Sequence, residues 1–146
     1  MKPSLTDQEI NYSEPSPEEM NKLKSSYQLG EFITVFDKTK ILIKNHPNSF
    51  NVWNFYAMAC GSLNMFQKAQ KGFEKAAKLN PNSSDTYNNL GVILQAQNKL
   101  GEALKNFKRG AKLNPKNFQI QNNIGILHQL EHLRFLYRLN QCQSYT

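Results

Sequence analysis

Apolar residues recur at intervals of three and four along most of the chain, in runs of about three to four turns separated by short polar breaks, the pattern of paired amphipathic helices. In one copy, Trp53, Tyr56, Ala57 and Cys60 stripe a first helix, and Phe66, Ala69, Phe73, Ala76 and Leu79 stripe a second, with Asn64 as the turn residue between them. In the next copy, Tyr87, Leu90, Gly91 and Leu94 precede a turn at Asn98, and Leu100, Ala103, Phe107, Gly110 and Leu113 follow it. The unit is therefore a helical hairpin, and it has a fixed period. The segments KNHP, KLNP and KLNP end at Pro47, Pro81 and Pro115, each 34 residues after the last. Asn54, Asn88 and Asn122 keep the same register, as do Ala69 with Ala103, Phe73 with Phe107, and Gly91 with Gly125. Small residues at fixed places let two helix backbones approach while an aromatic ring fills the space beside them. A bulky side chain at Ala69 or Ala103 is expected to jam the hairpin, at a cost of ~1–3 kcal/mol.

Trp53, Ala57, Ala69, Phe73, Ala76 and Pro81, followed by Leu90, Gly91, Ala103, Phe107 and Pro115, resemble the tetratricopeptide repeat, whose pattern is W-x2-L-G-x2-Y, A-x3-F and P. The resemblance covers residues 16–131 and implies an all-α fold, a right-handed α-solenoid of about 3.5 helical hairpins. The repeats divide as 16–47, 48–81, 82–115 and 116–131, after a mobile N-terminal segment at 1–15. In the first repeat Gly30, Phe32, Val35, Leu42 and Pro47 fall in register, although Glu19 stands where an aromatic is expected. Ser16, Pro17 and Glu19 supply a helix start, with Ser16 as cap and Glu19 completing a capping box. The last repeat begins well at Phe118, Ile124, Gly125 and Leu127, but His132 occupies the turn position and Tyr137 the place of a small residue. Residues 132–146 read as a degenerate C-terminal helix or a truncated repeat. Leu133, Phe135, Leu136, Tyr137 and Leu139 are too apolar for a solvating end, which predicts a homo-oligomer formed through this C-terminal part or a missing downstream domain.

With 39% hydrophobic and 20% charged residues, the chain has the composition of one compact domain. No run approaches the ~18 apolar residues of a membrane span, and the first residues lack the apolar core of a secretory signal, so neither membrane anchoring nor export is expected. Cys60 and Cys142 form no metal-binding or disulfide spacing and read as plain thiols of a reducing compartment, with the cytoplasm as the expected location. The net charge of +7 is unevenly placed: residues 1–37 hold seven acids and three bases, and residues 38–146 four acids and fifteen bases. Most of these bases fall on the second helices, as at Lys68, Lys71, Lys75 and Lys78. No stacking aromatics are interleaved with them, which argues for a solvated face and against nucleic acid as a partner.

The sequence HQLEH at 128–132 matches the H-x-x-E-H pattern of inverted zinc proteases. A turn expected within the match separates the two His residues, and the third ligand has no candidate downstream, so no metal site is expected. No nucleophile elbow, phosphate loop or carboxylate pair is present; the chain is read as carrying no catalytic residues and no cofactor. In the family the resemblance points to, the first helices line a concave groove. The corresponding positions are Asn51, Asn54 and Met58; then Asp85, Asn88, Asn89 and Val92; then Gln119, Asn122, Asn123 and Ile126, with Asn21 and Lys24 in the first repeat. A primary amide both donates and accepts, so such Asn residues can satisfy the backbone of a bound segment. Asn89 and Asn123 resemble the Asn ladder in the repeats of O-linked N-acetylglucosamine transferase, interrupted here by Phe55. A carboxylate clamp for chaperone tails would need Lys and Arg at set places, which here hold Asn54, Met58, Gln119 and Asn123, and only Asn89 matches that clamp. The leading expectation is thus a non-catalytic scaffold that binds a peptide or protein segment in the groove. The alternative is the substrate-recruiting N-terminal segment of a bacterial glycosyl- or sulfotransferase-type polypeptide lacking its catalytic domain.

Overall fold

The structure, a computed structural model, describes residues 14–143. Seven helices follow one another: α1 (Pro17–Gln28), α2 (Phe32–Asn45), α3 (Phe50–Ser62), α4 (Phe66–Leu79), α5 (Ser84–Ala96), α6 (Leu100–Leu113) and α7 (Phe118–Gln143). Each packs against its neighbours in sequence, and α3 also touches α5, the contact pattern of stacked hairpins. The mobile segment expected at 1–15 lies outside the described residues apart from Glu14 and Pro15. Pro15 is buried, and Glu14 Oε2 accepts from Ser49 Oγ at 2.5 Å and from Asn51 Nδ2 at 3.4 Å.

Local chemistry starts the first helix of each hairpin. Ser16 and Glu19 form the expected capping box, while Ser49 Oγ accepts from Val52 N–H, Ser83 Oγ from Thr86 N–H, and Asn117 Oδ1 from Gln119 and Ile120 N–H. Ser49, Ser83 and Asn117 are themselves 34 residues apart. The turns inside the hairpins depend on a left-handed residue at the same period: Gly30, Asn64 and Asn98 have φ of 78°, 57° and 61°.

Residue 132 is next in that series, and there the chain does not turn. The turn expected at His132 is absent: α7 runs unbroken for 26 residues through it. A hairpin would place Tyr137 where Ala69 and Ala103 sit fully buried, and Gln141 where Phe73 and Phe107 fill the core. Such a second helix could neither approach closely nor fill the space. Without tertiary gain from turning back, propagation of the existing helix prevails through a run of good helix formers.

The core extends between the helix layers, with Ala57, Cys60, Ala69, Phe73, Leu94, Ala103, Phe107, Ile120 and Leu127 among its buried residues. Backbone approach is closest where glycine permits it. A Cβ at Gly91 would lie 2.5 Å from Phe107 Cε1, and one at Gly72 would lie 2.8 Å from Ala57 Cβ. At Gly125, 34 residues after Gly91, a Cβ would meet nothing within 4 Å, because no second helix folds back on α7.

Candidate functional site

The first helices share a cleft of about 280 Å³, walled by Tyr27 of α1, Met58, Gly61 and Ser62 of α3, Phe66 of α4, and Asn89, Val92, Ile93 and Ala96 of α5. Carbon dominates the lining. Its polar groups are the Asn89 amide and a hydrogen-bonded pair, Tyr27 Oη and Ser62 Oγ, 3.1 Å apart. No charged side chain enters it. Burial pushes the Tyr56 phenol up to about 12 and also raises the thiol of Cys60, which is fully buried in the core.

Of the residues expected in the groove, the cleft brings together Met58, Asn89 and Val92. Asn51, Asp85, Gln119, Asn122 and Ile126 are exposed and do not line it, Asn51 with its amide directed to Glu14. Asn88 is corrected: it is only 4% exposed, and its Oδ1 accepts from Asn123 Nδ2 at 2.9 Å. This hydrogen bond joins α5 to α7. Asn54, Asn88 and Asn122 occupy the register that faces the following first helix, so Asn88 is covered by α7 while Asn122, with no successor among the described residues, is open. Asn54 is half-buried; its Nδ2 donates weakly to Met58 Sδ at 3.5 Å, and its Oδ1 is buried without a partner, an unmet acceptor on this side of the molecule. Phe55, where the row of Asn residues is interrupted, packs on Tyr27 at 6.3 Å between ring centroids, and Asn123 has one of its amide donors engaged by Asn88.

Sequence reasoning missed Tyr27, Gly61, Ser62, Phe66, Ile93 and Ala96. The signal was the period itself. Tyr27 and Gly61 are 34 apart, as are Ser62 and Ala96, and all four line the cleft; the side chain nearest Gly61 is Ile93, whose Cδ1 would lie 2.9 Å from a Cβ there.

The continuity of α7 also removes the reason given for separating His128 from His132, which stand one turn apart on one helix. Among the described residues no three His, Cys, Asp or Glu side chains come together in a way that could hold a metal ion. No helix among them is long and apolar enough to cross a membrane. Charge is segregated: α2, α4 and α6 carry eleven bases against three acids, whereas α1, α3, α5 and α7 carry four of each. On the basic side Lys40 pairs with Asp37 at 2.9 Å, and Lys40 and Lys68 lie over the Phe36 ring.

Comparison with curated protein sequences returns no match. Among solved structures, the chain is similar to the first tetratricopeptide domain of Spaghetti (RPAP3) bound to the HSP90 peptide SRMEEVD. The TM-score is 0.75 at 23% identity, over 79% of this chain and 91% of that one. The Sgt2 tetratricopeptide domain from Aspergillus fumigatus gives a TM-score of 0.75 at 13% identity, over 91% and 86% of the two chains. The O-GlcNAc transferase of Thermobaculum terrenum gives 0.72 at 13% identity, over 75% of this chain and 21% of that one. At these identities the likeness is one of fold. Family models described as tetratricopeptide repeat match residues 50–83 and 84–117, the two hairpins α3–α4 and α5–α6 with their connections. With three helical hairpins followed by α7 among the described residues, left-handed turn residues at 30, 64 and 98, and these two matches, the chain is a tetratricopeptide repeat protein.

Proposed function

We propose that the protein is a non-catalytic scaffold whose groove holds an uncharged segment of another protein, anchored by one apolar side chain in the cleft between α3 and α5. The observation that carries this reading is the cleft: about 280 Å³, walled by Met58, Phe66, Val92, Ile93 and Ala96, free of charge, with the Asn89 amide at its side. That volume suits a Leu, Met or Phe side chain together with its own stretch of backbone. Met58 can adjust to differences in anchor shape, and the Asn89 amide can both donate to and accept from the ligand backbone. The segregated charge supports the same choice. An acidic segment would be drawn to the basic helices α2, α4 and α6 rather than to the neutral groove.

The RPAP3 domain binds an acidic peptide, SRMEEVD. In this chain, Asn54, Met58, Gln119 and Asn123 stand where a cationic clamp would be needed, so that ligand is not expected to bind. The substrate-recruiting reading has less support, because the ladder it relies on is interrupted at Phe55 and one Asn123 amide donor is engaged by Asn88. The two unpaired cysteines, one buried and one exposed, are in keeping with a reducing compartment such as the cytoplasm.

The test is a fluorescence-anisotropy titration with neutral peptides carrying one central Leu, Met or Phe, set against the same peptides carrying Asp or Lys there, and against SRMEEVD. Binding of the apolar-anchored set is expected, with a loss of tenfold or more on Val92→Glu and a smaller loss on Asn89→Ala. Preference for SRMEEVD, or indifference to Val92→Glu, would refute the proposal.

A further inference from the structure

Beyond Leu127, α7 leaves the array. The face it had turned to α6 continues as Glu131, Arg134, Arg138 and Gln141, and Arg134 Nη2 donates to Asn98 Oδ1 at 2.8 Å. Between these and the polar His128, Gln129, His132 and Asn140, the stretch exposes six large apolar side chains, Leu130, Leu133, Phe135, Leu136, Tyr137 and Leu139, more than a solvated helix usually carries. Within it, Ile126, Leu130, Leu133 and Tyr137 are spaced by four, three and four, the 3.5-residue seam of two paired helices. They are exposed by 39%, 37%, 61% and 66%, and Leu136 beside them by 42%.

We propose that this seam pairs antiparallel with the same segment of a second copy. The area suffices. At ~200 Å² for a fully exposed large side chain, these five residues would remove about 500 Å² per copy, or ~1,000 Å² in all, the lower bound of a specific interface. The sense of pairing follows from the fold. Residues 118–127 of each copy are flanked by the array body, so a parallel pair would bring two bodies to the same end, while an antiparallel pair puts them at opposite ends. Antiparallel pairing sets Leu130 against the second copy's Leu133, and Ile126 against its Tyr137. It also keeps Arg134 of the two copies away from each other, and the polar face of each helix stays in water. The interface is isologous, so it closes at two copies.

Sedimentation equilibrium on the full chain reads the association, and cysteine variants read its geometry. The weight-average mass is expected to rise from one copy toward two over a range of micromolar concentrations. Leu133→Glu with Tyr137→Glu should hold it at one copy, and Phe135→Glu with Leu139→Glu, on the other side of the helix, should leave the dissociation constant within about threefold. In a Cys142→Ser background, Ile126→Cys with Tyr137→Cys should oxidise to a cross-linked pair, whereas Tyr137→Cys alone should not. The two positions are too far apart on one helix to bridge within a copy. A mass of one copy at every concentration would overturn the proposal and leave the seam to another partner. Cross-linking by Tyr137→Cys alone would overturn the antiparallel arrangement. Association that survives Leu133→Glu with Tyr137→Glu would overturn the surface. Circular dichroism on each variant separates loss of pairing from loss of fold.

Discussion

Replacing Gly91 by Ala adds one methyl group where α5 crosses α6, and its effect can be worked from the contacts. The new Cβ would meet Phe107 Cε1 at 2.5 Å, Cδ1 at 2.6 Å and Cζ at 2.9 Å, against an ordinary carbon separation of ~3.5–4.0 Å. The ring must therefore retreat by about 1 Å. It has nowhere to go, since Phe107 is fully buried among Ala103, Ile120 and Leu127 in a close-packed core. Overpacking of this kind costs ~1–3 kcal/mol, and with a whole ring edge obstructed the upper part of that range applies. Alanine's advantage over glycine inside a helix returns about 1 kcal/mol. The net expectation is a destabilisation of roughly 1–2 kcal/mol, a fall in Tm of about 5 °C for a domain of this size. Urea and thermal unfolding followed by circular dichroism measure it. Gly101→Ala is the companion, because a Cβ there meets nothing within 4 Å, and it should stabilise by about 0.5 kcal/mol. Adding Phe107→Leu to Gly91→Ala should recover part of the loss, giving a coupling of ~0.5 kcal/mol or more. A Gly91→Ala protein as stable as the parent would refute the argument that the Phe107 ring fixes this glycine.

Asn88→Ala leaves the Asn123 amide without its acceptor and should cost about 1 kcal/mol in urea unfolding, while Asn122→Ala, at the same register but exposed, should be neutral. Asn64→Ala forces a residue with a Cβ and no compensating side chain into left-handed backbone at φ 57°, which should lower stability by about 1 kcal/mol; Asn64→Gly should cost nothing on the same measurement. Native protein should show one thiol reacting quickly with a disulfide reagent, Cys142, and a second, Cys60, reacting at the rate of local opening. Burial raises the Cys60 thiol, so the unfolded chain loses this proton first as pH rises. Stability should decline once pH passes the unfolded thiol value of about 8.5, and Cys60→Ala should remove that part of the decline.

The helices, their pairing and their period were legible because each depends on near neighbours in sequence. Spacing by three and four gives an amphipathic helix, and a residue that tolerates left-handed backbone, at 30, 64 and 98, ends it. The caps at Ser49, Ser83 and Asn117 obey the same period and could have been found by it. At His132 the local signals misled. Histidine can occupy a turn, and what prevents one is Tyr137 and Gln141, whose unsuitability shows only when a second helix is packed back on α7. Met58, Asn89 and Val92 were placed on one side of their helices by register alone, and they line one cleft.

What those registers do was decided elsewhere. Asn54, Asn88 and Asn122 are the same residue at the same period, yet one has an unmet acceptor, one is locked to Asn123 and one is open to water. Their difference comes from the element stacked beside each, a contact between residues 34 or more apart that no local pattern records. The cleft likewise draws its walls from α1, α3, α4 and α5, with Tyr27 and Ile93 brought together from residues far apart in sequence. The hairpin and its period follow from the sequence alone; which first-helix positions are exposed and which are buried was decided by tertiary packing, because burial and hydrogen bonding depend on the neighbouring helix.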